Sequence, residues 1–149
     1  MRTRYLSWIL ILLIGITSPV YAAELTQEQK ELIADKVNAA IDCSKDWVAI
    51  VDQEHYGESW DRAAKFFQER IPDGQWETTM QQVRYPFGKV MSREVANYQY
   101  LTHLPGFPAG EYVVIQFKTS FDKKSDAMET ITSMVDSDGQ WRVSNYQVN

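Results

Sequence analysis

The hydrophobic pattern of this chain changes period once, and the change falls at Gly88. Before it, apolar residues recur every three or four positions; after it, they alternate. Helices therefore fill the first part and strands the second, with no helix left to join one strand to the next. A parallel pair needs a crossover of about a dozen residues or more, so βαβ architectures are excluded. Successive strands with short connections favour an antiparallel meander with helices packed on one face. The expected class is α+β: N-terminal helices against one face of a curved, four-stranded antiparallel sheet.

Thr26-Gln27-Glu28-Gln29 has the capping-box pattern, in which Thr26 accepts from a free N–H and Gln29 reaches back. Behind it, Ile33, Val37, Ile41, Ser44, Val48 and Val51 predict one long helix running to about Asp52. "DQEHYG" (52–57) interrupts, with Gly57 available for the turn. Tyr56, Trp60, Ala64, Phe67 and Ile71 predict a second helix, which Pro72-Asp73-Gly74 ends. Asp73 is expected to cap a short third helix whose apolar face is Trp76, Met80 and Val83. These aromatic stripes read as core.

The join between the two halves is "RYPFGKVMSR" (84–93). A residue before proline is biased away from helical angles, so the third helix should stop near Arg84. Gly88 allows a bend, Val90 opens the first strand, and Tyr85 and Phe87 are expected to plug the seam between helices and sheet. The first strand is expected within Val90 to Leu104, followed by the turn "PGFPAG" (105–110). Tyr112 to Phe121 alternates, with Val113, Ile115, Phe117, Thr119 and Phe121 on one side. A third strand is expected from about Ala127 to Val135, a hairpin turn at "DSDG" (136–139), and a fourth strand from Trp141 to Val148.

Ahead of all this stands "MRTRYLSWILILLIGITSPVYAAELT". Arg2 and Arg4 form a positive head, Leu6 to Ile16 an apolar run, and Val20-Tyr21-Ala22 puts β-branched Val20 and small Ala22 at the positions a signal peptidase reads in a secretory signal peptide. Cleavage is expected after Ala22, leaving 23–149 as a single domain without a stable membrane anchor, periplasmic or secreted. The apolar run falls short of the roughly 20 residues of a spanning helix. Losing Arg2 and Arg4 takes the formal net charge from −5 to −7. An acidic chain with no basic block is a poor partner for nucleic acid. Cys43 is the single cysteine, which excludes an intrachain disulfide and a CxxC redox pair.

"WVAIVDQEHYGESWDRAAKFF", "QWETTMQQVRYPFGKVMSR", "LPGFPAGEYVVIQFKTSF" and "DGQWRVSNY" occur in that order. Together they resemble the domain of unknown function 4019 family, small exported bacterial proteins, over about Asp46 to Val148. The matching positions include Trp47, Asp52, Tyr56, Trp60, Phe67, Trp76, Arg84, Pro86, Gly88 and Arg93, then Glu129, Trp141, Arg142 and Tyr146. Asn145 stands where the resemblance implies a glycine. No activity comes with the family. The order of elements is also similar to the cone-shaped nuclear transport factor 2-like and cystatin-like folds, an analogy that implies architecture and no function.

No known catalytic signature is present: no nucleophile elbow, phosphate-cradling loop or zinc-binding histidine pair, and no cofactor or metal is expected. His55 lies in a polar turn, and Cys43 on the first helix reads as a small buried hydrophobe. His103 ends the first strand, either at a pocket mouth or on the surface. Glu129 and Asp61 are carboxylates placed to enter a cavity between helices and sheet, where burial would raise their pKa. The alternative for Glu129 is the solvent face or an arginine partner. Arg84 and Arg93 either pair with carboxylates such as Asp61 or Glu129, or hold an anionic ligand at the cavity rim. Two functions follow. One is a non-enzymatic envelope domain binding a small apolar or anionic ligand, or an envelope protein. The other is a small isomerase- or hydratase-type enzyme using Glu129, Asp61 or His103. A structural accessory domain is a third.

Overall fold

The computed structural model describes residues 24–149. The expected signal peptide, 1–22, lies outside the described residues. Helix α1 runs from Gln27 to Asp52, 26 residues, and opens with the expected box: Thr26 Oγ1 accepts from the Gln29 N–H at 3.2 Å, and Gln29 Oε1 accepts from the Thr26 N–H at 2.8 Å. Its stripe of Val37, Ala40, Ser44, Trp47, Val48 and Val51 is buried. The chain leaves α1 through a Schellman turn, with Glu54 N–H on Val51 O (3.0 Å) and His55 N–H on Ile50 O (3.2 Å). The left-handed position of that turn is Glu54, at φ 62°, and not a glycine. A side chain there costs about 1–2 kcal/mol.

The second expected helix is broken into α2 (Tyr56–Asp61) and α3 (Lys65–Arg70). Ala64 is extended and gives its N–H to Val143 O in the sheet at 2.8 Å, while Gln68 Nε2 caps the freed Trp60 carbonyl at 2.9 Å. A sheet bond has displaced a helical one. Helix α4 spans Asp73–Arg84 and ends where expected. Its N-cap is Pro72, with no side-chain cap; Asp73 is the first helical residue and favours the helix dipole instead. The buried face is Trp76, Met80 and Arg84, while Val83 is 36 % exposed. The apolar stripe thus ends on a cation.

Strands β1 (Val90–Leu101), β2 (Tyr112–Phe121), β3 (Ala127–Val135) and β4 (Trp141–Val148) form an antiparallel sheet in the order β1-β2-β3-β4. The sheet is open, and the helices cover one face. β1 ends at Leu101, three residues before the expected limit, and the loop beyond it folds Leu104 and Phe107 against Tyr112, Met134 and Phe66. Gly88 has φ +76°, and a Cβ there would collide with Asp122 Oδ1, which accepts the Lys89 N–H at 2.8 Å. Phe87 packs on Phe121, ring centres 5.3 Å apart. Tyr85 does not plug the seam: it is 78 % exposed, because the residue after the buried Arg84 points away from the sheet.

Between α1, α4 and the inner face lie Trp47, Phe67, Trp76 and Tyr146. Phe67 meets Trp76 edge-on at 4.9 Å, and Trp47 touches Trp76 and Tyr146 at 5.9 and 5.7 Å. Both indole N–H groups find Ser59, at its carbonyl (2.7 Å) and its hydroxyl (2.9 Å). These rings occupy the space where a cavity between helices and sheet was expected.

Candidate functional site

Four charged side chains meet where the C-terminal ends of α1 and α4 abut the sheet. Asp52 and Arg84 are the last residues of their helices, Arg93 lies in β1 and Glu129 in β3. Register brings the strand residues together. Arg93 pairs across to Thr119, and Glu129 to Phe117, so alternation puts Arg93, Thr119 and Glu129 on the inner face.

Arg93 makes a fork on Asp52, with Nη1 to Oδ2 at 2.6 Å and Nη2 to Oδ1 at 2.9 Å, and its Nε donates to Glu129 Oε2 at 2.6 Å. Arg84 donates from Nη2 to Asp52 Oδ1 (2.8 Å) and from Nη1 to Glu129 Oε1 (3.0 Å) and Tyr146 Oη (2.9 Å). Tyr146 Oη and Thr119 Oγ1 each donate to Glu129 at 2.6 Å. Glu129 is fully buried and accepts four hydrogen bonds, two on each oxygen. A carboxylate has about four acceptor positions, so none is left to take a proton from a substrate. The Arg84 guanidinium also lies 4.6 Å from the Phe121 ring centre.

Two cations and two carboxylates leave the cluster neutral. Burial opposes the charge on Arg93, but the bonds to Asp52 and Glu129 outweigh it and push its pKa up. Burial pushes the Tyr146 phenol well above its ordinary range, and the Glu129 carboxylate beside it adds to the effect. Among the described residues no buried side-chain nitrogen or oxygen lacks a partner.

The sequence candidates therefore separate. Arg84, Arg93 and Glu129 come together; Asp61 and His103 do not join them. Asp61 is exposed at the end of α2, in a groove with Asp46, Arg62 and Arg142. His103 is exposed in the loop after β1, at the opposite end of that strand from Arg93. The arginines pair with Glu129, as one alternative had it, but their second carboxylate is Asp52 and not Asp61. The solvent-face alternative for Glu129 is overturned by its complete burial. Among the described residues Glu129 is sealed in the cluster while Asp61 and His103 are exposed elsewhere, so an acid–base set built from the three is not formed. His55 is exposed, 3.6 Å from Glu58. Cys43 is half-buried and gives its thiol to Trp141 O at 3.1 Å; burial pushes its pKa up, which disfavours the reactive thiolate. No three His, Cys, Asp or Glu side chains gather as a metal site among the described residues.

Over the outer side of the cluster lies a cleft of about 440 Å³. The helical side of its lining comes from Asp52, Glu54, Tyr56 and Gln81, the sheet side from Gly88, Lys89, Asp122 and Lys123. Tyr56 is only 7 % exposed, yet its hydroxyl bonds to no described residue. Tyr56 and Arg84 both line the cleft, and Arg84 Nε likewise bonds to no described residue. Burial pushes the Tyr56 phenol up, Glu54 adds to this, and Arg84 opposes it. Lys123 Nζ stands 4.8 Å from the Tyr85 ring on the rim.

Asp52, Tyr56, Thr119 and Tyr146 were not among the candidate site residues. Two of them carry a signal in the sequence: Asp52 continues the Ser44–Val48 spacing of an apolar stripe, and Thr119 puts a hydroxyl in the apolar row of β2.

A family model described as a protein of unknown function (DUF4019) matches residues 43–146. No curated protein matches the chain.

Proposed function

The chain belongs to the DUF4019 family, whose description assigns no activity, and from that premise we propose a non-enzymatic binding domain of the cell envelope. Its ligand is a small carboxylate, held in the cleft above the charged cluster. The signal segment at 1–22 exports it, and cleavage after Ala22 releases the domain 23–149 on the far side of the membrane.

The observation that supports this reading is the Tyr56 hydroxyl. A buried tyrosine normally satisfies its O–H within the protein. This one bonds to no described residue, and Tyr56 lines the cleft together with Arg84, above the neutral cluster. Lys89 and Lys123 add cations on the rim. The cleft falls within the roughly 300–1,000 Å³ of small-molecule sites.

Tyr56→Phe is the direct test, because it removes one donor and no contact within the protein. Titration calorimetry against N-acetylglycine and succinate should show binding to the parent protein. The variant should bind about tenfold or more weakly, as expected for a hydrogen bond to a charged group. Equal affinity in the two proteins would overturn the site. Export is checked separately by cell fractionation and N-terminal sequencing, with Ala23 expected first.

A further inference from the structure

We propose that the cleft takes a zwitterion, a free α-amino acid or short peptide, whose ammonium group is received by Glu54. This rests on the carboxylate-binding reading above and narrows it.

Glu54 is the one non-glycine residue with positive φ among the described residues, at a helix-terminal position where glycine is the usual occupant. Its carboxylate forms no ion pair or hydrogen bond with any described side chain. The left-handed turn carries two backbone hydrogen bonds, from the Glu54 and His55 N–H groups, which a glycine would make without the strain. What the position does accomplish is to hold an anion at the cleft, near the Tyr56 hydroxyl. Strained backbone of this kind gathers at ligand sites.

The remaining charges of the lining point to the same class. Asp52 and Arg84 are neutralised within the buried cluster. That leaves Glu54 on the helical side, Lys89 and Lys123 on the sheet side, and Asp122, which is partly engaged by the Lys89 N–H. Counted with Asp122 these charges balance, two against two, and Glu54 is the one that stands across the cleft from the lysines. A purely anionic ligand would leave Glu54 facing it, whereas a molecule with a carboxylate at one end and an ammonium at the other satisfies both. The carboxylate then lies on Arg84 Nε, the Tyr56 hydroxyl and the lysines, and the ammonium at Glu54.

The experiment compares diglycine, N-acetylglycine and glycinamide by titration calorimetry on protein purified after expression of the whole chain. Diglycine is expected to bind at least tenfold more tightly than either single-ended probe. Glu54→Gly should melt at a higher temperature, since the turn is relieved, and should lose the preference for diglycine over N-acetylglycine. The raised melting point shows that the variant is folded. If diglycine and N-acetylglycine bind the parent protein equally, or if Glu54→Gly keeps the preference, the zwitterion inference is overturned while carboxylate binding stands. If none of the three probes binds, both readings fall.

Discussion

Arg93 grips Asp52 with both terminal nitrogens, at 2.6 and 2.9 Å, and so ties the end of the first helix to the first strand across 41 residues of sequence. The same guanidinium reaches Glu129 through Nε, so three of its donors face two carboxylates at once. Lysine has one compact ammonium and cannot span that arrangement. Arg93→Lys is expected to fold but to lose about 1–3 kcal/mol, the worth of a hydrogen bond to a charged group. Urea unfolding measures it. A change within a few tenths of a kcal/mol would mean that the fork contributes nothing.

Glu129→Gln should be worse. The amide keeps the shape but leaves two buried arginines facing one carboxylate, and its NH₂ group opposes donors that now lack acceptors. Removing one partner of a buried pair costs about 3–5 kcal/mol. For a domain of this size that lowers the melting temperature by roughly 10–20 °C. Thermal unfolding followed by circular dichroism reads this directly, and a loss of only a few degrees would contradict the geometry.

Alkaline pH offers a second probe of the same cluster. The folded pKa of Tyr146 is raised above that of an unfolded tyrosine, about 10. Above that pH the folded state holds a proton that the unfolded state has lost. The contribution is therefore complete below about pH 10 and is lost as pH rises beyond it. Tyr56 and Tyr112 are raised as well, so Tyr146→Phe should flatten the decline without abolishing it. Denaturant midpoints from pH 8 to 11 show the slope, and parallel curves for parent and variant would exclude Tyr146 as its source.

Much of this architecture was legible because periodicity and turn chemistry agreed. The capping box at Thr26, the end of α4 at Arg84 and the limits of β2, β3 and β4 all came from local pattern. The break at Ala64 was not legible, since the competing partner of its N–H is Val143, 79 positions away. The same limit applies to the charged cluster. Glu129, Arg84 and Arg93 stood out as polar residues in apolar surroundings, but nothing local says that Asp52 is their fourth member and Asp61 is not. Glu54 shows the limit most sharply: glycine was expected to make the turn in "DQEHYG", and a carboxylate makes it instead.

Gly88 sets the course of "RYPFGKVMSR". That stretch carries the chain from Arg84, buried at the end of α4, to Arg93 in β1, and the two arginines must arrive beside the same pair of carboxylates. The reversal depends on φ +76° at Gly88 and on the Asp122 carboxylate, which takes the Lys89 N–H where a Cβ would stand. Gly88→Ala would impose left-handed strain and also displace Asp122, so both costs act on the join that sets the arginines. A loss of about 1–3 kcal/mol is expected from the backbone alone, with more from the lost turn bond. Combining Gly88→Ala with Arg93→Lys tests whether the bend and the cluster act together. If the bend positions Arg93, the double variant loses less than the two single losses added, since a displaced arginine has less to lose. Strict additivity in urea unfolding would show instead that Gly88 serves only its own turn.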